Sequence, residues 1–240
     1  MVLFLTSRLN TLVKDKDGNK TTIPLENVNG VLDNIKKYLS ATNRIVYVAN
    51  DPNNVIENEE RIKNTIDSFS LSNLNFNEKI LLDARNKKDA KNIILGANIV
   101  ILSGGKILCQ NKFFRSIRLK KILKHFNGIV IGISAGTMNL CKTVFNFPEE
   151  KADIKERKWV KGLGFYDKII IPHFDGETNT YQIECEEVDV VNDYIFPASH
   201  KKEFLGIPNG SYILIDGNKN VSFFGEMYAI ENGVTKKIER

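Results

Sequence analysis

The sequence predicts an α/β fold: a mainly parallel sheet flanked by helices on both faces, with a small antiparallel C-terminal extension. Three observations predict it. Short β-rich runs alternate with helical patterns through the first two thirds of the chain, the signature of βαβ units. An apolar run, Gly128-Ile129-Val130-Ile131, leads straight into Gly132-Ile133-Ser134-Ala135-Gly136 and a helix-like Thr137-Met138-Asn139-Leu140. The last third switches to short apolar runs separated by tight-turn signals at Asp216-Gly217-Asn218 and Glu231-Asn232-Gly233.

Taken in order, residues 2–5 read as a first strand and Lys14 to Lys20, centred on Asp17-Gly18-Asn19, as an exposed turn. Residues 31–39 have helical periodicity, residues 44–49 form a second strand, and a long amphipathic helix follows from about 55 to 69. Further strands are expected at 80–82, 98–102 and 128–133, separated by helices near 88–95 and 112–126. Residues 169–171 are a triple-isoleucine strand, and a helix-like stretch then reaches about Tyr194. Runs at 204–207, 211–215, 221–224 and 227–230 are expected to form one antiparallel set closing an edge of the main sheet. Nothing marks an interdomain linker, so residues 1–240 are read as a single domain.

Composition narrows the functional classes. With 42% apolar and 26% charged residues the chain is an ordinary globule, and its net charge of +5 is too small to argue for nucleic acid. The densest basic stretch, Arg115 to His125, alternates with Ile117, Leu119, Ile122 and Leu123 at helical spacing and reads as the solvated face of a helix. The opening Met1-Val2-Leu3-Phe4-Leu5 is too short to cross a bilayer, so no membrane partner is expected. Three cysteines, Cys109, Cys141 and Cys185, are odd in number and lack C-x-x-C spacing. They read as reduced thiols of a cytoplasmic protein. No metal-ligand spacing or phosphate loop occurs, and no cofactor is expected. A homodimer is allowed by the sequence but not required.

The chemistry centres on Ser134. Glycines on both sides permit a turn too sharp for side chains, which lifts the hydroxyl clear and aims the Ala135 amide at the same spot. A serine hydroxyl needs a base. His173, after Ile169-Ile170-Ile171-Pro172, sits at a strand's carboxyl end, where open α/β sheets carry their sites. His125 ends the basic helix and His200 lies in a surface loop, so both are weaker candidates. The diglycine Gly104-Gly105 after residues 99–102 exposes backbone N–H groups, and Gly105 with Ala135 could form an oxyanion hole.

Strand-Gly-Gly, Gly-x-Ser-Ala-Gly, Pro172-His173-Phe174 and Gly206-Ile207-Pro208-x-Gly210 together resemble peptidase E, the aspartyl dipeptidase group of serine peptidases that includes cyanophycinase. The resemblance runs from Phe4-Leu5-Thr6-Ser7 to the terminal strands. It implies a class I glutamine amidotransferase-like fold, a short peptide substrate with an N-terminal aspartate, Ser134 as nucleophile, His173 as base, and Gly105 with Ala135 as oxyanion donors. Three positions depart from the family pattern. Asn209 stands where the family has a glutamate, and Ser103 and Lys106 interrupt its Gly-Gly-Gly-Asn motif. Asparagine can orient a histidine but brings no charge; in trypsin the equivalent exchange lowers turnover about 10⁴-fold, chiefly through the wrong tautomer. Asp175, Glu177 or Glu203 could instead supply a carboxylate. Arg115 and Lys106 are candidate pocket cations, and Trp159 and Tyr181 candidate pocket walls, packing being the plainer role for both aromatics.

Two other readings stay open. An esterase of the α/β-hydrolase type orders its triad serine, acid, histidine, and Asp153 and Asp167 fall between Ser134 and His173. A catalytically weak peptide- or amino-acid-binding relative would also accommodate Asn209.

Overall fold

The computed structural model describes residues 1–148, 158–176 and 189–239. The chain opens with β1 (Val2–Thr6), the hairpin β2 (Leu12–Lys14) and β3 (Lys20–Thr22), and α1 (Val31–Tyr38). Then come β4 (Arg44–Val48), α2 (Val55–Leu71), β5 (Glu78–Leu82), α3 (Ala90–Leu95) and β6 (Ile99–Leu102). Helices α4 (Ile107–Ser116) and α5 (Leu119–Leu123) precede β7 (Ile129–Ile133), which turns directly into α6 (Ala135–Leu140). Beyond lie β8 (Thr143–Phe145), β9 (Trp159–Lys161), β10 (Ile169–Pro172), a π-helical turn at Val190–Ile195, and α7 (Phe196–Ser199). The chain closes with β11 (Phe204–Ile207), β12 (Tyr212–Ile215), β13 (Val221–Phe224), β14 (Tyr228–Glu231) and β15 (Val234–Lys237).

A seven-stranded sheet in the order β13-β12-β1-β7-β6-β4-β5 forms the centre. Its five strands from β1 to β5 run parallel, and β12 joins β1 antiparallel with Thr6 opposite Tyr212. Side-chain alternation decides the register. Leu5, Val48, Val100, Leu102 and Val130 face α3, α4 and α5, while Phe4, Ile45, Ile99, Ile101 and Ile131 face α1 and α2. A one-residue slip would exchange the two sets and misplace side chains whose burial contributes about 1.5–3 kcal/mol each. Covering both faces is what makes these strands almost wholly apolar.

A second, four-stranded sheet runs β10-β11-β14-β15, with β10 and β11 parallel and the remaining pairs antiparallel. An aromatic cluster fixes it against α6: Phe145 lies 4.8 Å from Trp159 and 5.2 Å from Phe204, centroid to centroid, and Met138 and Ala135 pack into the same cluster. Helix α6 is therefore wedged between the two sheets, which brings the ends of β7 and β10 together.

The α/β class and most first-half elements agree with expectation, and three details differ. The expected helix at 112–126 is two helices, beginning earlier, at Ile107, and broken at Arg118, whose φ of 54° is left-handed. The late strands are not one set: β12 and β13 extend the main sheet, whereas β11, β14 and β15 belong with β10 in the second. Strands β8 and β9, only three residues each, were not anticipated. Much of the helix expected after His173 lies outside the described residues.

Gly136 shows how tightly α6 is wedged. A Cβ there would lie 2.1 Å from the Leu102 carbonyl oxygen, a contact no side chain can make. Gly136→Ala should lower stability by at least about 2 kcal/mol in urea unfolding, the scale of overpacking a rigid core. Unchanged stability would show that the wedge is loose.

Candidate active site

Ser134 occupies the turn between β7 and α6 with φ 50° and ψ −111°, a conformation that costs a non-glycine residue about 1–3 kcal/mol. Hydrogen bonds hold it there. Its amide donates to the Thr6 carbonyl at 3.0 Å, and its own carbonyl accepts from the Met138 amide at 3.0 Å. The Thr137 hydroxyl accepts from the Thr6 amide at 2.9 Å and donates to the Thr6 carbonyl at 2.7 Å. The end of β1 thus clamps the start of α6. Ala135 is the first residue of α6, so its amide has no acceptor within the helix.

His173 follows β10, also at positive φ (61°). Its amide donates to the Ser7 hydroxyl oxygen at 3.1 Å, and that hydroxyl donates to the Ile207 carbonyl at 2.6 Å. Ser7 is wholly buried. It joins the end of β1 to the ends of β10 and β11, and so fixes the histidine relative to the serine.

The two side chains meet. His173 Nε2 lies 2.9 Å from Ser134 Oγ, and Nδ1 lies 2.7 Å from Asn209 Oδ1. A carboxamide oxygen only accepts, so Nδ1 carries the proton and the Nε2 lone pair faces the serine hydroxyl. Burial holds the imidazole pKa below its ordinary value; the Asn209 hydrogen bond opposes that shift, and the Arg8 charge adds to it. Asn209 itself is exposed, on the loop following β11.

The diglycine runs beside this pair. A Cβ on Gly104 would sit 3.4 Å from Ser134 Cβ. Gly105 has φ 130°, and a Cβ there would fall 2.6 Å from Asn50 Cγ, so neither backbone angle nor space admits a side chain. Asn50 braces the loop by donating to the Lys106 carbonyl at 3.0 Å.

A cleft of about 430 Å³ opens over Ser134 and His173 and is lined by Ser7, Arg8, Tyr47, Gly104, Gly105 and Ile133 among others. Its outer wall carries Lys20 and Arg61, each held by a carboxylate: Lys20 by Glu60 at 3.0 Å, Arg61 by Glu57 at 2.6 Å. Arg8 lines the same cleft and makes no ion pair with a described carboxylate.

The other sequence candidates fall elsewhere. Glu203 pairs with Lys168 at 2.6 Å, and Asp167 is 90% exposed at 3.9 Å from Lys142, so neither is the partner of His173. Asp175 is exposed, and both ring nitrogens of His173 are engaged by Ser134 and Asn209. Asp153, Glu177, Tyr181 and Cys185 lie outside the described residues. Arg115 is not a cleft cation; it donates to the Lys161 carbonyl at 2.9 Å. Lys106 is the N-cap residue just before α4 and is not among the residues lining the cleft. Trp159 stacks on Phe204, 6.0 Å away and nearly coplanar, which is the packing role. His125 and His200 are exposed and remote from Ser134. Burial pushes the Cys141 thiol up to about 12 and raises that of Cys109, so neither is a ready thiolate. No functional role is legible for Ser7, Arg8 or Arg61 in the sequence alone. The first two directly follow β1, at the sheet edge where such sites form, and that placement was the available signal.

The fold is of the peptidase E type, an α/β architecture in which a parallel sheet carries its site at the strands' carboxyl ends. The profile of peptidase family S51 matches residues 21–222, and the chain belongs to that family. Among solved structures, a peptidase from an acI-B1 actinobacterium superposes with a TM-score of 0.67 at 12% identity, covering 99% of this chain and 93% of that one. A candidate peptidase E protein from Listeria monocytogenes EGD-e gives 0.55 at 15% identity, covering 99% and 98%. No curated protein sequence matches the chain. Family membership makes the chain a peptidase by class, and the structural likenesses show the shared fold. Among the described residues no helix is long and apolar enough to cross a membrane.

Ser7 ties the His173 backbone to the end of β1, which is a testable positioning contact. Ser7→Ala should cost about 1–3 kcal/mol of stability, by leaving the His173 amide and the Ile207 carbonyl without their partner. It should also lower kcat about tenfold or more with little change in KM, because the histidine loses its fixed distance to the serine. An unchanged kcat in steady-state assays would show that His173 is positioned without it.

Proposed function

We propose that the protein is a serine peptidase of short peptides, working through an acyl-enzyme on Ser134, with His173 as general base and Asn209 orienting it. The observation that carries this reading is the 2.9 Å approach of His173 Nε2 to Ser134 Oγ, with Nδ1–H turned toward Asn209. The base takes the hydroxyl proton as Oγ attacks the scissile carbonyl, and the tetrahedral oxyanion forms between the Ala135 and Gly105 amides. Its collapse returns the proton from Nε2 to the departing amine. Water, activated by the same imidazole, then hydrolyses the ester.

Substrates with an N-terminal aspartate, the preference carried by the resemblance to peptidase E, suit the cleft's charge. Arg8 stands beside His173 and makes no ion pair with a described carboxylate, so an acidic substrate side chain would complement it. The esterase reading loses one of its two candidate acids, since Asp167 faces solvent near Lys142, and the other, Asp153, lies outside the described residues. The weak-binder reading rests on Asn209 alone.

Two measurements test the assignment. A fluorophosphonate probe should label Ser134 and fail to label His173→Ala, and a dipeptide library screened by mass spectrometry should show Asp-Xaa consumption by the parent protein and none by Ser134→Ala. Peptide binding without turnover would select the non-catalytic reading.

The depressed imidazole also sets a pH profile. Its protonation removes the base, so kcat/KM should hold as pH falls through the ordinary histidine value of about 6.5 and decline only below it. Asn209→Asp puts a negative charge beside Nδ1–H, favours the imidazolium, and should move that decline upward while raising kcat about tenfold. An unmoved profile would mean that the titrating group is not His173.

A further inference from the structure

Away from the catalytic cleft, the helical layer carries a second concavity. The turn at Lys87–Asp89, α3, the α4–α5 junction and α5 enclose a groove of about 570 Å³. Lys87, Lys88, Lys91, Arg118, Lys121 and His125 line it, and no described carboxylate does. Its floor is apolar: Ile117 and Ile122 are buried beneath it and Leu95 is partly exposed at its side. It shares no lining residue with the cleft over Ser134. The sequence alone read this basic stretch as a solvated helix face; the break at Arg118 and the packing of α5 beside α3 turn that face into a pocket wall.

The gathering of charges sets this groove apart. Several basic side chains elsewhere meet carboxylates, as Lys20, Arg44, Arg61, Lys63, Arg85 and Lys168 do. The five Lys and Arg side chains of the groove make no ion pair with a described carboxylate. Like charges crowded in one concavity repel, and low-dielectric walls focus their field into it. A bound polyanion would relieve that repulsion more fully than water and dissolved salt do.

We infer that this groove binds a nucleoside polyphosphate: several phosphate groups held by the lysines and Arg118, and a flat ring laid on Ile117, Ile122 and Leu95. The volume falls in the range of small-molecule sites, about 300–1,000 Å³. A nucleic acid is the poorer fit, because the cations are gathered in one pocket instead of forming a stripe along the surface. Arginine and lysine supply the charge-assisted bonds that phosphate oxygens take, and the apolar floor distinguishes a nucleotide from bare phosphate. The inference is independent of the peptidase mechanism.

Calorimetry on the full chain at low salt tests it, with adenosine triphosphate, inorganic tripolyphosphate, adenosine and hexaglutamate as probes. The nucleotide should bind, more tightly than tripolyphosphate, with affinity falling as salt rises. Lys88→Glu combined with Lys121→Glu should weaken it at least about tenfold, Lys91→Glu alone should weaken it in the same direction, and Ser134→Ala should bind as the parent does. Circular dichroism on each variant separates lost binding from lost fold. No binding at ~1 mM nucleotide, or binding that the charge reversals leave unchanged, would overturn the site. Tripolyphosphate binding as tightly as the nucleotide, or hexaglutamate binding more tightly, would overturn the ligand class.

Discussion

Two adjacent residues at the carboxyl end of β1 hold the candidate site together. Thr6 clamps the Ser134 side, accepting the Ser134 amide through its carbonyl and exchanging bonds with Thr137. Ser7 clamps the His173 side, accepting the His173 amide and donating to the Ile207 carbonyl. Ser134 belongs to the main sheet and His173 to the second one. Without this bridge, the 2.9 Å between their side chains would depend on packing alone. Hydrogen bonds have the directionality that apolar packing lacks, which is why a buried polar pair does this work in an otherwise apolar interface.

The same clamp accounts for the backbone. Ser134 and His173 both stand at positive φ, as glycine would do freely and other residues do only when surroundings over-determine them. In each case the amide is anchored to the end of β1, and α6 is pinned from behind where Gly136 meets Leu102. The strain is held by three separate elements, so relaxing any one of them moves the two side chains relative to each other.

How much of this the sequence exposed follows from the range of each interaction. The sharp turn at Ser134 was legible because the serine, its glycines and the strand before it are contiguous, and His173 because a triple-isoleucine run marks its strand. Those signals are local. The split of the late strands between two sheets was not legible, since β11 and β12 are alike in length and apolarity and their partners lie far away in sequence. Ser7 was missed for a related reason. A small buried hydroxyl looks the same in sequence whether it caps a turn or joins two sheets. The break at Arg118 was hidden too, because the apolar spacing across it stays helical and no glycine announces the left-handed turn.

Asn209 is the most instructive departure from the family pattern, and geometry limits what it costs the proposed mechanism. A carboxylate beside a catalytic imidazole selects the tautomer, fixes the ring and stabilises the imidazolium. The trypsin exchange fails chiefly on the first of these. Here the carboxamide oxygen faces Nδ1–H at 2.7 Å, so tautomer and orientation are both retained and only the charge is missing. That charge would have stood at an exposed position, where water and salt weaken its field. The deficit should therefore fall well short of the buried trypsin case. An uncharged partner also leaves burial and Arg8 free to keep the imidazole unprotonated, which is the form a base must have before the serine can attack.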